Sequence, residues 1–111
     1  MRTLALFCVL AFPAAALAQT TPASAPAPAL VVHMKDFSYV PKGAKITVGD
    51  TIVFINDDDS AHTVTANDAT FDSGYMAKDA KWSYTFTKAG TVAYYCIYHK
   101  FMRATITVAE K

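Results

Sequence analysis

Apolar residues in the C-terminal three quarters of this chain recur at every second position, and this period constrains the fold more than any other feature. Apolar and hydroxyl-bearing residues alternate in residues 82–86 and 104–108, and residues 92–96 place apolar side chains on one face. Residues 51–55 form a continuous β-branched and aromatic run, which is typical of a central strand covered on both sides. Since side chains alternate between the two faces of a strand, the pattern predicts β-structure.

Turn-forming residues separate these runs, at residues 41–43, 49–50, 57–60, 73–74 and 89–90. Seven or eight short strands and no convincing helix predict an all-β fold, a Greek-key β-sandwich. We expect residues 62–66 to form one short strand that begins at His62. Residues 67–81 have the least regular pattern, and a short helical turn is compatible with their sequence.

The N-terminal part of the chain differs from the rest in composition. Residues 1–18 combine Arg2, an apolar run and an Ala-Leu-Ala ending, which predicts a cleaved signal peptide and export to a bacterial periplasm. A retained membrane anchor is the alternative, although Pro13 interrupts this short run. Residues 19–29 alternate Pro and Ala with small polar residues, which predicts a disordered leader. Residues 30–111 are then the folded domain.

Charge, apolar length and the absence of catalytic motifs exclude several classes of function. Ten basic residues face nine acidic ones, and one of the basic residues is Arg2 in the predicted signal, so the remainder is formally neutral. A nucleic-acid partner is therefore not expected. After signal removal we also expect no membrane span. The chain shows no evident Ser/His/Asp or paired-carboxylate arrangement, so we do not expect an enzyme.

One short segment concentrates the residues that bind soft metals. Cys96, His99 and Met102 recur at every third position between two predicted strands. A thiolate, an imidazole and a thioether suit copper that cycles between Cu(I) and Cu(II), whereas zinc would recruit more Cys or His. The alternative is that Cys96, the one cysteine left after signal removal, is a small core residue.

A trigonal copper site with one thiolate needs a second imidazole, and two other histidines are available. His62 follows an acidic turn and opens a predicted strand, so it can stand at one end of the sandwich. His33 lies within the first predicted strand and faces solvent if its neighbour Met34 faces the core. We therefore favour His62 as the ligand and keep His33 as the alternative.

At this point the sequence resembles a known family, the cupredoxins. The resemblance is carried by residues 89–103, with their Cys-x-x-His-x-x-Met spacing, by residues 48–51, and by Asn56 ahead of Ala61 and His62. The spacing is similar to the short ligand loop of the amicyanin group and shorter than that of plastocyanin or pseudoazurin. The resemblance implies one type 1 copper ion with His62, Cys96 and His99 in the plane and Met102 as the weak axial ligand.

Three positions depart from the amicyanin pattern. Thr63 stands where amicyanins usually have Asn; its N–H can still donate to the Cys96 sulfur, but we expect weaker side-chain bracing between the loops. Tyr98 replaces a Pro and so has an N–H that could be a second donor to that sulfur, which predicts a higher reduction potential than that of a Tyr98→Pro variant. Lys100 replaces another Pro and favours an acidic docking face on the partner.

The predicted function is that of a small periplasmic blue-copper electron carrier, a monomer that shuttles one electron between redox partner proteins. We expect the partners to dock transiently near His99, on an apolar rim of Ile97, Tyr98 and Phe101 with Met76 as a further candidate. The acidic residues 57–59 are either a second steering patch or a solvated loop. Copper delivery is the alternative function, and a metal-free β-sandwich interaction domain is a third.

Overall fold

A computed structural model describes residues 27–111. The predicted signal peptide and most of the predicted leader lie outside the described residues. The eight strands are β1 (Leu30–Lys35), β2 (Ser38–Val40), β3 (Gly43–Thr47), β4 (Thr51–Asn56), β5 (Thr65–Ala66), β6 (Lys81–Thr85), β7 (Gly90–Tyr95) and β8 (Arg103–Ala109). Residues 27–111 contain no helix, so none in that part of the chain could cross a membrane. The predicted all-β class is confirmed.

The strands form two four-stranded sheets that pack face to face. One sheet has the order β2-β1-β4-β6 and the other has the order β3-β8-β7-β5. The pairs β1–β4 and β3–β8 are parallel, whereas the other paired neighbours are antiparallel. A parallel pair needs a connection that crosses over, so the chain passes repeatedly between the sheets. This arrangement is the predicted β-sandwich.

The alternation in sequence becomes the inside and outside of this sandwich. Ala104, Ile106 and Val108 of β8 are buried, while the residues between them are exposed. The central strand β4 buries Ile52 and Phe54 on one face and half-covers its other face. Burying apolar side chains supplies most of the driving force for folding, and the core combines aliphatic residues with five aromatic ones, Tyr39, Phe54, Phe71, Phe86 and Tyr94.

Two local predictions differ from the structure. The strand expected at residues 62–66 is reduced to Thr65–Ala66, with His62 in an isolated bridge to Met76. The reason is that side chains take over the hydrogen bonds of this segment: the Ser73 hydroxyl accepts from the Val64 N–H at 2.8 Å. The helical turn compatible with residues 67–81 is not formed, because two bridges tie this segment to the strand region before it.

Candidate metal centre

Three side chains with metal-binding atoms meet at one end of the sandwich. They are His62, Cys96 and His99, and their ligand atoms all lie within 4.8 Å of one another. The Cys96 Sγ atom is 3.8 Å from His62 Nδ1 and 3.7 Å from His99 Nδ1. A metal at the centre of a trigonal plane, with bonds of about 2.0 Å to nitrogen and about 2.3 Å to sulfur, would hold the sulfur about 3.7 Å from each nitrogen. The observed spacing fits such a plane.

His62 is held by the ring nitrogen opposite the one that faces the cluster. Its side chain is fully buried, and Nε2 lies 2.7 Å from the Asp58 carboxylate. Since a carboxylate accepts, Nε2 carries the proton, and the Nδ1 lone pair is free to point toward Cys96. A second partner of this kind fixes both the tautomer and the orientation of a metal-binding imidazole.

The Asp58 carboxylate is ionised in this arrangement. Partial burial raises the pKa of Asp58, but the opposing hydrogen bonds outweigh it, so its pKa lies below the ordinary value. The bonds come first from the Phe37 N–H, then from His62 and the Asp36 N–H.

Asn56 organises the turn that precedes His62. It is fully buried at the end of β4, and its Nδ2 donates to the carbonyls of Ser60 and Met76 at 2.9 and 3.0 Å. Its Oδ1 accepts from the Asp58 N–H at 2.9 Å. Asn56 therefore satisfies its buried amide and fixes the backbone between β4 and His62 at the same time.

Thr63 connects the two ligand-bearing segments. Its N–H donates to the Cys96 sulfur at 3.4 Å, as the sequence predicts, and its hydroxyl accepts from the Ile97 N–H at 2.9 Å. The Thr63 hydroxyl therefore bridges the loops itself, and the expectation that it braces them less than Asn would stays a prediction. Within residues 27–111, the Tyr98 N–H makes no hydrogen bond to that sulfur, so the structure shows one backbone donor rather than two.

The loop from Cys96 to Met102 is closed by its own backbone. The His99 N–H donates to the Cys96 carbonyl, the Met102 N–H to the His99 carbonyl at 2.8 Å, and the Cys96 N–H to the Met102 carbonyl at 3.1 Å. Cys96 and Met102 are buried, whereas His99 is half-buried at the surface. The turn thus places both sulfur-bearing residues inward and one imidazole at the boundary with solvent.

His33, the alternative second histidine, does not belong to this cluster. It is exposed on β1, as predicted, and its Nδ1 lies 2.7 Å from the Asp57 carboxylate. The structure therefore brings together His62, Cys96 and His99, with the buried Met102 at the end of the same loop.

Comparison with known proteins agrees with this geometry. Residues 4–108 match the family described as cupredoxin-like domain. The chain belongs to the cupredoxin family. It is 34% identical to amicyanin from Paracoccus denitrificans over 85 residues, which are 72% of this chain and 65% of that protein. It is 31% identical to amicyanin from Paracoccus versutus over 91 residues, which are 78% of this chain and 69% of that protein.

Solved structures give the same result for the fold. A reduced amicyanin variant with one Trp-to-Tyr substitution has a TM-score of 0.69 and 33% identity, over 78% of this chain and 87% of that one. A copper-containing nitrite reductase from Thermus scotoductus SA-01 has a TM-score of 0.72 and 30% identity, but the match covers 23% of that chain and 78% of this one. The family and the donor set together make one type 1 copper ion the cofactor of this cupredoxin.

Exposed apolar side chains surround His99 in this cupredoxin. They include the predicted Ile97, Tyr98 and Phe101 of the same loop. Phe37, whose ring contacts His99, and Tyr75, whose ring lies against that of Tyr98, complete the set. Met76 is buried and is not part of this surface, because the bridge to His62 turns it inward and leaves its neighbour Tyr75 outside. We call the five exposed residues the apolar rim.

Phe37 was missed by the sequence analysis. It lies in the two-residue turn between β1 and β2, far along the chain from every predicted ligand. Its ring centroid lies 5.5 Å from that of His62 and 4.9 Å from that of His99, both in edge-to-face orientation. A large apolar residue in a tight turn between polar residues was the available signal, since such turns favour small polar residues.

The acidic residues 57–59 do not form an unpaired acidic patch. Asp57 pairs with His33, Asp58 turns toward His62, and Asp59 lies 2.8 Å from the ammonium group of Lys78. Each carboxylate therefore has a partner within the described residues, and the steering role considered for this turn gains no support.

Proposed function

We propose that this cupredoxin is a periplasmic blue-copper electron carrier that accepts one electron from a donor protein and passes it to an acceptor. His62, Cys96 and His99 would be the planar copper ligands and Met102 the weak axial one. Copper supplies the redox couple Cu(II)/Cu(I) when it is bound there. The observation that carries the proposal is the preformed cluster, whose three ligand atoms lie within 4.8 Å of one another.

The protein's part in electron transfer is to keep the ligands in place while the charge changes. His62 is fixed from behind by Asp58, and Cys96 is fixed by the Thr63 N–H. Because these supports belong to the fold, the ligands need little rearrangement between the two oxidation states. Full burial of Cys96 also keeps its thiolate away from oxidants in an exported protein.

The electron would leave or enter through His99. This is the half-buried ligand of the cluster, and the apolar rim surrounds it. A small apolar surface permits a brief contact that brings the partner's redox centre close and then releases it. The amicyanin relatives support the carrier function, and the signal predicted at residues 1–18 supports the periplasmic location. The likeness to nitrite reductase covers less than a quarter of that enzyme and supports no enzymatic proposal.

The test is a titration of the purified protein with Cu(II), followed by voltammetry. We expect one equivalent of copper, an intense thiolate band at about 600 nm and a reversible one-electron wave. Colourless binding of Cu(I) alone would favour copper delivery instead. No copper binding at all would favour a metal-free interaction domain. The control is a Cys96→Ala variant, in which a band that comes from the thiolate must disappear.

A further inference from the structure

The carboxylate of Asp58 links the proposed copper ligands to the turn between β1 and β2. Asp58 Oδ2 lies 2.7 Å from His62 Nε2 and accepts from the Phe37 N–H at 3.0 Å, while Oδ1 accepts from the Asp36 N–H at 2.8 Å. Its side chain is only 13% exposed. Charge-assisted hydrogen bonds of this kind are stronger than neutral ones, so three of them on one partly buried group constrain both segments strongly.

The turn that Asp58 holds is unfavourable by itself. Asp36 and Phe37 have φ values of 52° and 57°, and together they form the whole connection between β1 and β2. A two-residue hairpin turn with both φ values positive normally uses Asn and Gly, because a side chain such as that of Phe is strained in this region. The two N–H bonds to Asp58 offset this strain and fix where the Phe37 side chain emerges.

The Phe37 side chain emerges onto the copper cluster. Its ring contacts both imidazoles, and it approaches the ring of Phe101 with a centroid distance of 6.4 Å. The side of the His99 ring that Phe37 covers is therefore closed to water. A shift of the turn would uncover this ring without changing any residue of the ligand loop.

We propose that Asp58 is a positioning residue that orients His62 and, through the β1–β2 turn, seats Phe37 against His99. The inference rests on the proposed copper site for its functional meaning, because the two imidazoles are then copper ligands. Its structural content, a single carboxylate that couples the turn to both rings, exists without the metal and can be tested without it.

The neighbouring acidic residues provide matched controls. Asp57→Asn and Asp59→Asn remove the same charge from the same turn, but their carboxylates pair with His33 and Lys78 at the surface. Asp58→Asn retains one acceptor oxygen and close to the native shape, whereas Asp58→Ala removes all three bonds. A general effect of charge near the cluster would appear in all these variants, and a positioning effect would appear only at Asp58.

The first measurement uses NMR of the full-length protein without metal. We expect Asp58→Asn and Asp58→Ala to increase the exchange rates of the Asp36 and Phe37 amide protons about tenfold or more, because each loses a bond to a charged group. We also expect the ring-proton shifts of His99 to move toward those of a Phe37→Ala variant. Asp57→Asn and Asp59→Asn should leave both signals at their wild-type values.

The second measurement is copper affinity, in a double-mutant cycle with Phe37→Ala. Loss of a residue that supports a metal ligand typically lowers affinity about 10- to 100-fold, which we expect for Asp58→Ala. If Asp58 acts partly through Phe37, its replacement will cost less affinity in the Phe37→Ala background than in the wild type.

Wild-type His99 shifts and wild-type amide exchange in the Asp58 variants would overturn the inference, as would equal effects in the Asp57 and Asp59 controls. Asp58→Asn keeps the test valid if Asp58→Ala does not fold. If the wild-type protein binds no copper, the proposed function fails, while the NMR measurements still decide whether Asp58 positions the turn and the two rings.

Discussion

The two segments that bring ligands to the copper site are held by different means. Residues 56–63 carry one proposed ligand, and the side chains of Asn56, Asp58 and Thr63 hydrogen-bond to backbone or ring atoms around them. Residues 96–102 carry three proposed ligands and are closed mainly by backbone bonds of their own turn. The first segment buries Asn56, His62 and Thr63, and the second exposes three large apolar side chains.

This difference suggests a division of labour within one site. The segment before His62 is a fixed frame, because its supports reach into the fold and do not depend on solvent. The loop after Cys96 meets the surroundings, because its outward side chains Ile97, Tyr98 and Phe101 are exposed. Changes in the first segment should therefore affect stability, and changes on the outer face of the second should affect partner contact.

The largest effect should come from the residue on which both segments converge. We expect Cys96→Ala to abolish the band at about 600 nm, since the thiolate is its source. The free energy of unfolding of the metal-free protein should fall by about 1–2 kcal/mol, because one small buried side chain replaces another but the Thr63 N–H loses its acceptor. Visible absorption with Cu(II) and urea unfolding measure the two quantities. A retained band would show that another residue supplies the chromophore.

The next largest effect tests the frame. Asn56→Ala removes the three hydrogen bonds of a fully buried amide, and the groups left without partners should lower the free energy of unfolding by about 2–4 kcal/mol. Asn67→Ala is the matched control: Asn67 is exposed, and a change of less than about 0.5 kcal/mol is expected there. Urea unfolding of both metal-free variants measures the difference. Equal values would mean that the segment before His62 is not a specially stabilised frame.

These two regions also differ in how far the sequence alone could describe them. The spacing of Cys96, His99 and Met102 is local, so a chemical argument about copper could find it, and alternation in residues 104–108 was enough to place β8. Asp58 looked like one acidic residue in a polar turn, because the N–H groups it accepts from lie 21 and 22 positions away along the chain. Contacts at that separation depend on strand pairing, which no local pattern specifies.

The same reason explains why β5 was predicted too long. Residues 62–66 have the composition of a strand, and the structure instead uses the Thr63 N–H and hydroxyl for contacts with Cys96 and Ile97. Tertiary contacts of the site therefore override strand propensity there. The sandwich could be inferred from period two alone, whereas the supports of the site required the structure.

A smaller effect is expected for the exposed face of the loop, where a substitution should change partner contact and leave the ligands unchanged. Phe101 is 72% exposed in the apolar rim, so Phe101→Ser should slow electron self-exchange between the oxidised and reduced protein by about tenfold while the absorption spectrum stays unchanged. Val40→Ser is the control, since Val40 is also exposed but lies at the far end of β2. NMR line broadening in mixtures of the two redox states gives the rate. An unchanged rate would place the contact surface elsewhere.

The smallest effect concerns the backbone of the loop. A second donor at Tyr98 would lower the electron density on the Cys96 sulfur and favour Cu(I), which is why the sequence predicts a lower reduction potential for Tyr98→Pro. In the structure the Thr63 N–H is the backbone donor to this sulfur among the described residues, so replacing Tyr98 removes no such bond. We therefore expect voltammetry to show a shift of less than about 60 mV, the change that corresponds to a tenfold equilibrium constant for one electron.

A larger fall in the potential of Tyr98→Pro would mean that the loop tightens around copper and brings the Tyr98 N–H to the sulfur. Thr63→Pro would not be a usable comparison, because it would also remove the hydroxyl that holds Ile97. Tyr98→Ala is a better one, since it removes the exposed ring but keeps the N–H. If Tyr98→Ala and Tyr98→Pro shift the potential equally, the ring is responsible, and the backbone of this loop contributes nothing to the potential through the Tyr98 N–H.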